Sequence, residues 1–247
     1  MLEDVKIIKN LTDYEEGKTI FLAFPYAGGG ASFYYSWQKL LQDVCQVWAV
    51  QLPGREERMG DGYYTDIKEV AELVVQQIKN VKCPIVIYGH SMGTKIAYEV
   101  ERRLEVLHKD VKLIIVSGCG IPTEEEPEFI AHLPDDVFIE KVVGYNGIPT
   151  ELAEDKEIVK FFLPTLRADF VLSESYKCEE LNRGNVPVRA MGGTEDTEAD
   201  ENAIKKWKKL NPENFEYKMY EGSHFFIKEK QHMVVDQIID WIIEIGD

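Results

Sequence analysis

The segment Ile85-Val86-Ile87-Tyr88-Gly89-His90-Ser91-Met92-Gly93-Thr94-Lys95 decides how the rest of the chain is read. A β-branched apolar run enters a G-x-S-x-G turn, and a stretch with Ile96, Ala97, Val100 and Leu104 at helical spacing follows, from Thr94 to Leu107. Small residues two positions either side of a serine let the backbone turn sharply from strand to helix and hold the hydroxyl exposed. Ser91 is therefore the candidate nucleophile. The five-residue pattern alone arises by accident in roughly 8% of chains of this length at ordinary Gly and Ser usage. The strand before it and the amphipathic segment after it carry the assignment.

Moving outward, Thr19 to Phe24 reads as a buried strand running into Pro25-Tyr26-Ala27-Gly28-Gly29-Gly30, with a helix over Phe33 to Leu41. A strand over Val47 to Leu52, a turn at Pro53-Gly54 and the charged stretch Arg55-Glu56-Glu57-Arg58 come next. Val70, Leu73, Val74 and Ile78 share one face of a helix over Ile67 to Ile78. Past the elbow helix, Val111 to Gly118 is another continuous apolar strand. Strands alternating with helices in this way predict an α/β fold, a mainly parallel central sheet covered by helices on both faces. From about Thr123 to Tyr176 the composition turns acidic and the period helical, over Asp135 to Val143 and Lys156 to Leu163. This is a helical insertion, expected to roof a site at the carboxyl ends of the strands. The core rhythm then resumes with strand Val186 to Met191, helix Ala203 to Leu210, strand Phe215 to Tyr220 and a terminal helix over Lys230 to Ile245. The reading is one domain over 1–247, with core about 1–122 and 177–247 and a lid about 123–176.

The bulk numbers exclude several classes of function. A formal net charge of −16 argues against nucleic acid and anionic membrane as partners, because both need clustered Lys and Arg. No stretch approaches the roughly 18 apolar residues of a membrane span. The start, MLEDVKIIKN, lacks the charged and apolar regions of a secretory signal, and the four dispersed cysteines read as reduced thiols. A cytoplasmic monomer is expected.

A serine nucleophile needs a base, and the base needs an orienting carboxylate. In the α/β-hydrolase arrangement the order is Ser, Asp or Glu, then His, each on a loop after a core strand. Met191-Gly192-Gly193-Thr194-Glu195-Asp196 presents Asp196 after one strand, with Glu195 and Asp200 as rivals. Tyr220-Glu221-Gly222-Ser223-His224 presents His224 after the next. Of the five histidines, His90 lies inside the elbow with its side chain expected to point away from Ser91, and His108, His132 and His232 read as surface or helix-end residues. Oxyanion donors are expected from the backbone N–H of Met92 and from Ala27 or Gly28. Ala27-Gly28-Gly29-Gly30 has neither the G-x-G-x-x-G nor the P-loop spacing, so nucleotide binding is not expected, and no metal or cofactor is called for.

With these residues assembled, the chain resembles the type II thioesterases that accompany nonribosomal peptide and polyketide synthases. The resemblance rests on FPYAGGGASFYYSW at Phe24 to Trp37, LPGREER at Leu52 to Arg58, GHSMG at Gly89 to Gly93, LPTLRADF at Leu163 to Phe170, GGTED at Gly192 to Asp196 and GSHFF at Gly222 to Phe226. It implies an α/β-hydrolase fold with a mobile helical lid, Ser91 as nucleophile, His224 as base, Asp196 as orienter, and Ala27 with Met92 as oxyanion donors. The implied substrate is an acyl group on the phosphopantetheine arm of an acyl- or peptidyl-carrier protein, often a mis-loaded or stalled one. Two positions depart from the family pattern: Tyr26 stands where many relatives carry His, and Thr197-Glu198 follow Asp196 where Pro is common.

Carrier proteins are generally acidic, so Arg55, Arg58 or lysines are expected to soften repulsion at the mouth. The rival readings are a medium-chain fatty acyl carrier-protein thioesterase, a general carboxylesterase, and a non-catalytic binding module on the same fold.

Overall fold

A computed structural model describes residues 6–124, 128–147, 154–181 and 183–246. Among the described residues seven strands form one sheet: β1 (Ile8–Asn10), β2 (Ile20–Phe24), β3 (Gln46–Val50), β4 (Ile85–His90), β5 (Val111–Ser117), β6 (Val188–Gly193) and β7 (Phe215–Tyr220), in the order β1-β3-β2-β4-β5-β6-β7. All neighbours are parallel except β1, which pairs antiparallel with β3. The predicted mainly parallel sheet is thus present. Ahead of the first predicted strand, Ile7-Ile8 supply a buried start to an edge strand for which no element was predicted. A three-residue strand is too short to show a period of its own.

The inner strands β2, β3, β4 and β6 are buried on both faces, and alternation along them feeds two separate cores. Ile20, Leu22 and Phe24 of β2, with Ile85 and Ile87 of β4, face α2 (Ile67–Ile78) and α3 (Met92–Val106). Phe21, Ala23, Val86 and Tyr88 face α1 (Tyr35–Leu41) and the terminal helix. On α2 the buried Ile67, Val70, Val74 and Ile78 each contribute about 1.5–3 kcal/mol by leaving water. Asp66 caps that helix by accepting from Lys68 N at 2.8 Å.

Among the described residues the helical stretch predicted between β5 and β6 contains α4 (Asp135–Gly144) and α5 (Lys156–Glu174), which pack on a small core of Ile130, Phe138, Ile139, Val142 and Leu166. Helix α5 runs 11 residues beyond the predicted end at Leu163, through Pro164. Pro164 removes one helical hydrogen bond. Contacts to the core hold the next turns, with Thr165 Oγ1 donating to Gly54 O at 2.7 Å. Further along, the predicted helix 203–210 is a short α6 (Glu201–Lys205) followed by a 3-10 turn over Lys206–Lys209. The predicted terminal helix is α8 (Gln231–Gly246), preceded by a short α7 (Phe226–Glu229), and β6 begins at Val188, two residues later than predicted. Among the described residues no helix is long and apolar enough to cross a membrane. All four cysteines are free thiols.

Candidate active site

The elbow is built by steric necessity. Ser91 sits at φ 54° and ψ −124°, a conformation costly for a residue with a Cβ, between the end of β4 and the first turn of α3. A Cβ on Gly89 would come within 2.3 Å of Gly93 O, and one on Gly93 within 2.3 Å of Phe24 O. Both glycines are therefore demanded by backbone passing backbone. The turn is tied to β5 by Ser91 N donating to Ser117 O at 2.8 Å. Thr94 Oγ1 lies 2.8 Å from Gly89 O and 3.0 Å from Ser117 O, so its one proton braces both strand ends. Met92, as the first residue of α3, has an N–H with no acceptor inside the helix.

His224 lies on the loop after β7 and Asp196 on the loop after β6. His224 Nδ1 is 2.8 Å from Asp196 Oδ2, and both side chains are buried. The other carboxylate oxygen accepts from Glu198 N at 2.9 Å and Ala199 N at 3.2 Å. A carboxylate can only accept, so it keeps the imidazole proton on Nδ1 and leaves Nε2 as a basic lone pair. The rivals separate cleanly: Glu195 is exposed, and Asp200 caps α6 by accepting from Ala203 N at 2.8 Å. Ser91, Met92, Ala27 and His224 line one cleft at the carboxyl ends of the strands, with a volume of about 90 Å³. His90 does not line it. Its ring is fully buried behind the elbow, with Nδ1 2.9 Å from Ser117 Oγ and its centroid 5.1 Å from that of His224. Burial pushes its pKa well down, so it stands as a neutral spacer beside His224.

Tyr26 to Gly29 form a turn closed by Gly29 N donating to Tyr26 O at 2.8 Å, with Gly28 at φ 77°. Positive φ at the third position of such a turn calls for glycine. Of the two proposed donors in this loop, Gly28 N is committed to Asp169 Oδ2 at 2.7 Å, which leaves Ala27 on the cleft wall. Of Arg55, Arg58 and the lysines expected to face an acidic partner, Arg55 is excluded. Arg55 is buried in an ion pair with Asp169, whereas Arg58 is half-buried, paired with the exposed Asp61 at 2.8 Å and donating to Gln51 O at 2.9 Å. A guanidinium that close to backbone carbonyls and a carboxylate is better paired inside than solvated outside. Composition gave no hint of Asp169; its one signal was membership of LPTLRADF.

The cleft carries charge that sequence reading missed. Lys95, one turn after Ser91, is buried with Nζ 2.9 Å from Ser173 O, and burial lowers its pKa. Glu128, Glu174 and Glu198 line the same cleft. Glu174 accepts from Ile130 N at 2.7 Å and Ala131 N at 3.0 Å, while burial raises the pKa of Glu198. Next to the cleft, and sharing Tyr26, Ala27, Gly147 and Leu166 with it, is a larger cavity of about 420 Å³ between the glycine-rich loop and α5. Lys228 stands at its edge with Nζ 4.0 Å from the Phe225 ring centroid and 4.7 Å from that of Tyr26.

Residues 19–244 match the family described as thioesterase domain. The chain is 34% identical to linear gramicidin dehydrogenase LgrE of Brevibacillus parabrevis over 229 residues, covering 89% of this chain and 86% of that one. It is 31% identical to the probable anguibactin biosynthesis thioesterase AngT of Vibrio anguillarum over 227 residues, 89% of this chain and 90% of that one. The structure of BorB, a type II thioesterase from the borrelidin biosynthetic cluster, superposes with a TM-score of 0.87 at 25% identity, over 96% of this chain and 97% of that one. A serine elbow, a His–carboxylate pair on the two following strand loops and these likenesses across nearly the whole length lead to one conclusion: the chain belongs to the thioesterase family and is an α/β hydrolase of the type II kind.

Proposed function

We propose that the protein removes acyl groups from the phosphopantetheine thiol of acyl- or peptidyl-carrier proteins in nonribosomal peptide or polyketide synthesis. The observation that carries the reading is the His224 Nδ1 to Asp196 Oδ2 contact of 2.8 Å in the cleft that also holds Ser91. His224 Nε2 takes the Ser91 proton as Oγ attacks the thioester carbonyl, and the N–H groups of Ala27 and Met92 receive the oxyanion. Collapse breaks the C–S bond, and the departing pantetheine sulfur takes the proton from His224 Nε2, which restores the base. A thiol with a cysteine-like pKa near 8.5 leaves with little acid assistance. Water, deprotonated by the same imidazole, then attacks the acyl-Ser91 ester and frees the acid.

The helices at 135–144 and 156–174 serve as the lid in this reading, and the larger cavity beneath α5 is where the pantetheine arm reaches the serine. The substrate brings its own phosphopantetheine, so the protein needs no cofactor. Lys228 at the cavity edge takes the place first given to Arg55 as a cation facing an acidic carrier. The protein acts in the cytoplasm, in keeping with its free thiols, and as a monomer. The cleft sets Lys95, Glu128, Glu174 and Glu198 among a mainly apolar lining, and its small volume favours short acyl groups over medium-chain hydrocarbon, which sets the reading apart from a fatty acyl thioesterase. Intact Ser91, Asp196 and His224 speak against a binding module.

The test is mass spectrometry of a panel of acetyl-, aminoacyl- and octanoyl-loaded carrier proteins with and without enzyme. Ser91-dependent loss of the short and aminoacyl groups is expected. Hydrolysis by Ser91→Ala at the wild-type rate would refute the mechanism, and a preference for octanoyl would refute the substrate class.

A further inference from the structure

Two stretches so far without a role, LPGREER and LPTLRADF, meet at one carboxylate. Asp169 on α5 places Oδ2 2.7 Å from Gly28 N and 2.6 Å from Arg55 Nη1, while Oδ1 lies 2.6 Å from Arg55 Nη2. The guanidinium also reaches Gly29 O from Nη1 at 2.9 Å and Pro53 O from Nε at 3.1 Å. The two side chains are 7% and 4% exposed, so neither swings freely in water. A bidentate guanidinium and carboxylate pair fixes direction as well as distance. This unit joins the turn after β2, the loop after β3 and the lid-side helix α5.

We propose that Asp169, neutralised by Arg55, is a positioning residue that holds the Tyr26–Gly29 turn so that the Ala27 N–H points at the oxyanion. It makes that donor depend on α5 being seated on the core. The inference rests on the proposed role of Ala27. Gly28 N is one peptide away from the donor, so fixing it limits the rotation of the Ala27 backbone. Leu166, one turn before Asp169, presses the same glycine: a Cβ on Gly28 would come within 2.6 Å of Leu166 Cδ2. Arg55 is needed for a second reason. An uncompensated carboxylate in this turn would repel the negative charge that develops on the substrate oxygen. If α5 lifts, the acceptor for Gly28 N leaves with it, and the oxyanion site loses its aim before water can exploit an open cleft.

The test measures kcat and KM on a short acyl-pantetheine thioester, together with inhibition by the matching trifluoromethyl ketone, which forms a tetrahedral oxyanion on Ser91. Wild type, Asp169→Asn, Arg55→Met and Arg55→Lys are compared, each normalised to folded protein by near-UV circular dichroism. Expected is a fall in kcat of about 10–100-fold, below the full loss of an oxyanion donor, with KM within about threefold. The ketone inhibition constant should rise in step with the fall in kcat. Arg55→Met should be the most damaging and Arg55→Lys should recover part of the loss. If Asp169→Asn does not fold, the contrast between Arg55→Met and Arg55→Lys decides. A lower melting temperature with unchanged kcat and ketone affinity per folded molecule overturns the proposal, because that is all a purely structural pair would produce. If Ser91→Ala turns over like wild type, the functional reading itself has failed; if wild type is Ser91-dependent and these variants keep full kcat, only the positioning role has failed.

Discussion

Replacing Asp196 by Asn tests the orienting carboxylate with almost no change in volume, and the structure dictates how the amide will sit. Asp196 Oδ1 accepts from the backbone N–H groups of Glu198 and Ala199, while Oδ2 faces His224 Nδ1. An amide has one acceptor and one donor end. With its oxygen kept on the two backbone donors, the NH2 faces His224 Nδ1. With its oxygen turned to His224, two buried N–H groups lose their acceptor, at about 1–3 kcal/mol each. The first orientation therefore wins. It turns Nδ1 into an acceptor and moves the ring proton to Nε2, where a proton blocks uptake of another from Ser91. Wrong-tautomer variants of serine hydrolases lose about 10⁴ in kcat, equivalent to about 5.4 kcal/mol of barrier. The assay is steady-state release of free thiol from acyl-pantetheine, with acyl-enzyme accumulation followed by mass spectrometry. Expected is a drop in kcat of about 10³–10⁴ with KM little changed and no acyl-enzyme detected. An Asp196→Asn protein retaining kcat within about tenfold would refute the tautomer argument, since that argument requires loss of the base itself.

Glu101 on α3 is buried, and that burial, aided by Glu105 and opposed by Arg102, raises its pKa to about 8. The folded protein thus keeps a proton that the unfolded chain releases above about 4.5, so stability falls as pH rises from there and levels off above about 8. At about 1.36 kcal/mol per pH unit, the full cost reaches about 5 kcal/mol at most. Glu101→Gln should raise the melting temperature by several degrees at pH 8.5 and leave it unchanged at pH 4.5; equal effects at the two pH values would contradict the burial argument. Gly93→Ala would place a Cβ 2.3 Å from Phe24 O, a backbone atom that cannot step aside. About 3 kcal/mol of stability should be lost, or about 6–12 °C in melting temperature by thermal scan, with activity lost as the elbow deforms.

Much of this site was legible along the chain because its rules are local. The elbow glycines, the apolar runs of β2, β4 and β5, and the placement of Asp196 and His224 after successive strands follow from strand period, turn chemistry and chain order. Other features needed tertiary contact. Nothing local distinguishes Asp196 from Glu195 or Asp200; the distance to His224 does. Likewise Asp169, which stands 141 positions from Gly28, takes the Gly28 N–H and leaves Ala27 as the candidate donor.

Sequence by itself determined the layered α/β frame and where the candidate nucleophile and base stand in it, because periodicity and backbone sterics act over a few residues. Tertiary structure alone decided that Arg55 turns inward, that α5 continues past Pro164, and that charged side chains stand among the apolar lining of the cleft. Arg55 and Asp169 are 114 positions apart, and a charge run such as Arg55 to Arg58 reads as solvated until a buried partner is seen. Desolvating a guanidinium is costly without that partner and tolerable with it. The partner is supplied only when α5 packs across the strand ends, and no residue-by-residue reading of the chain contains that packing.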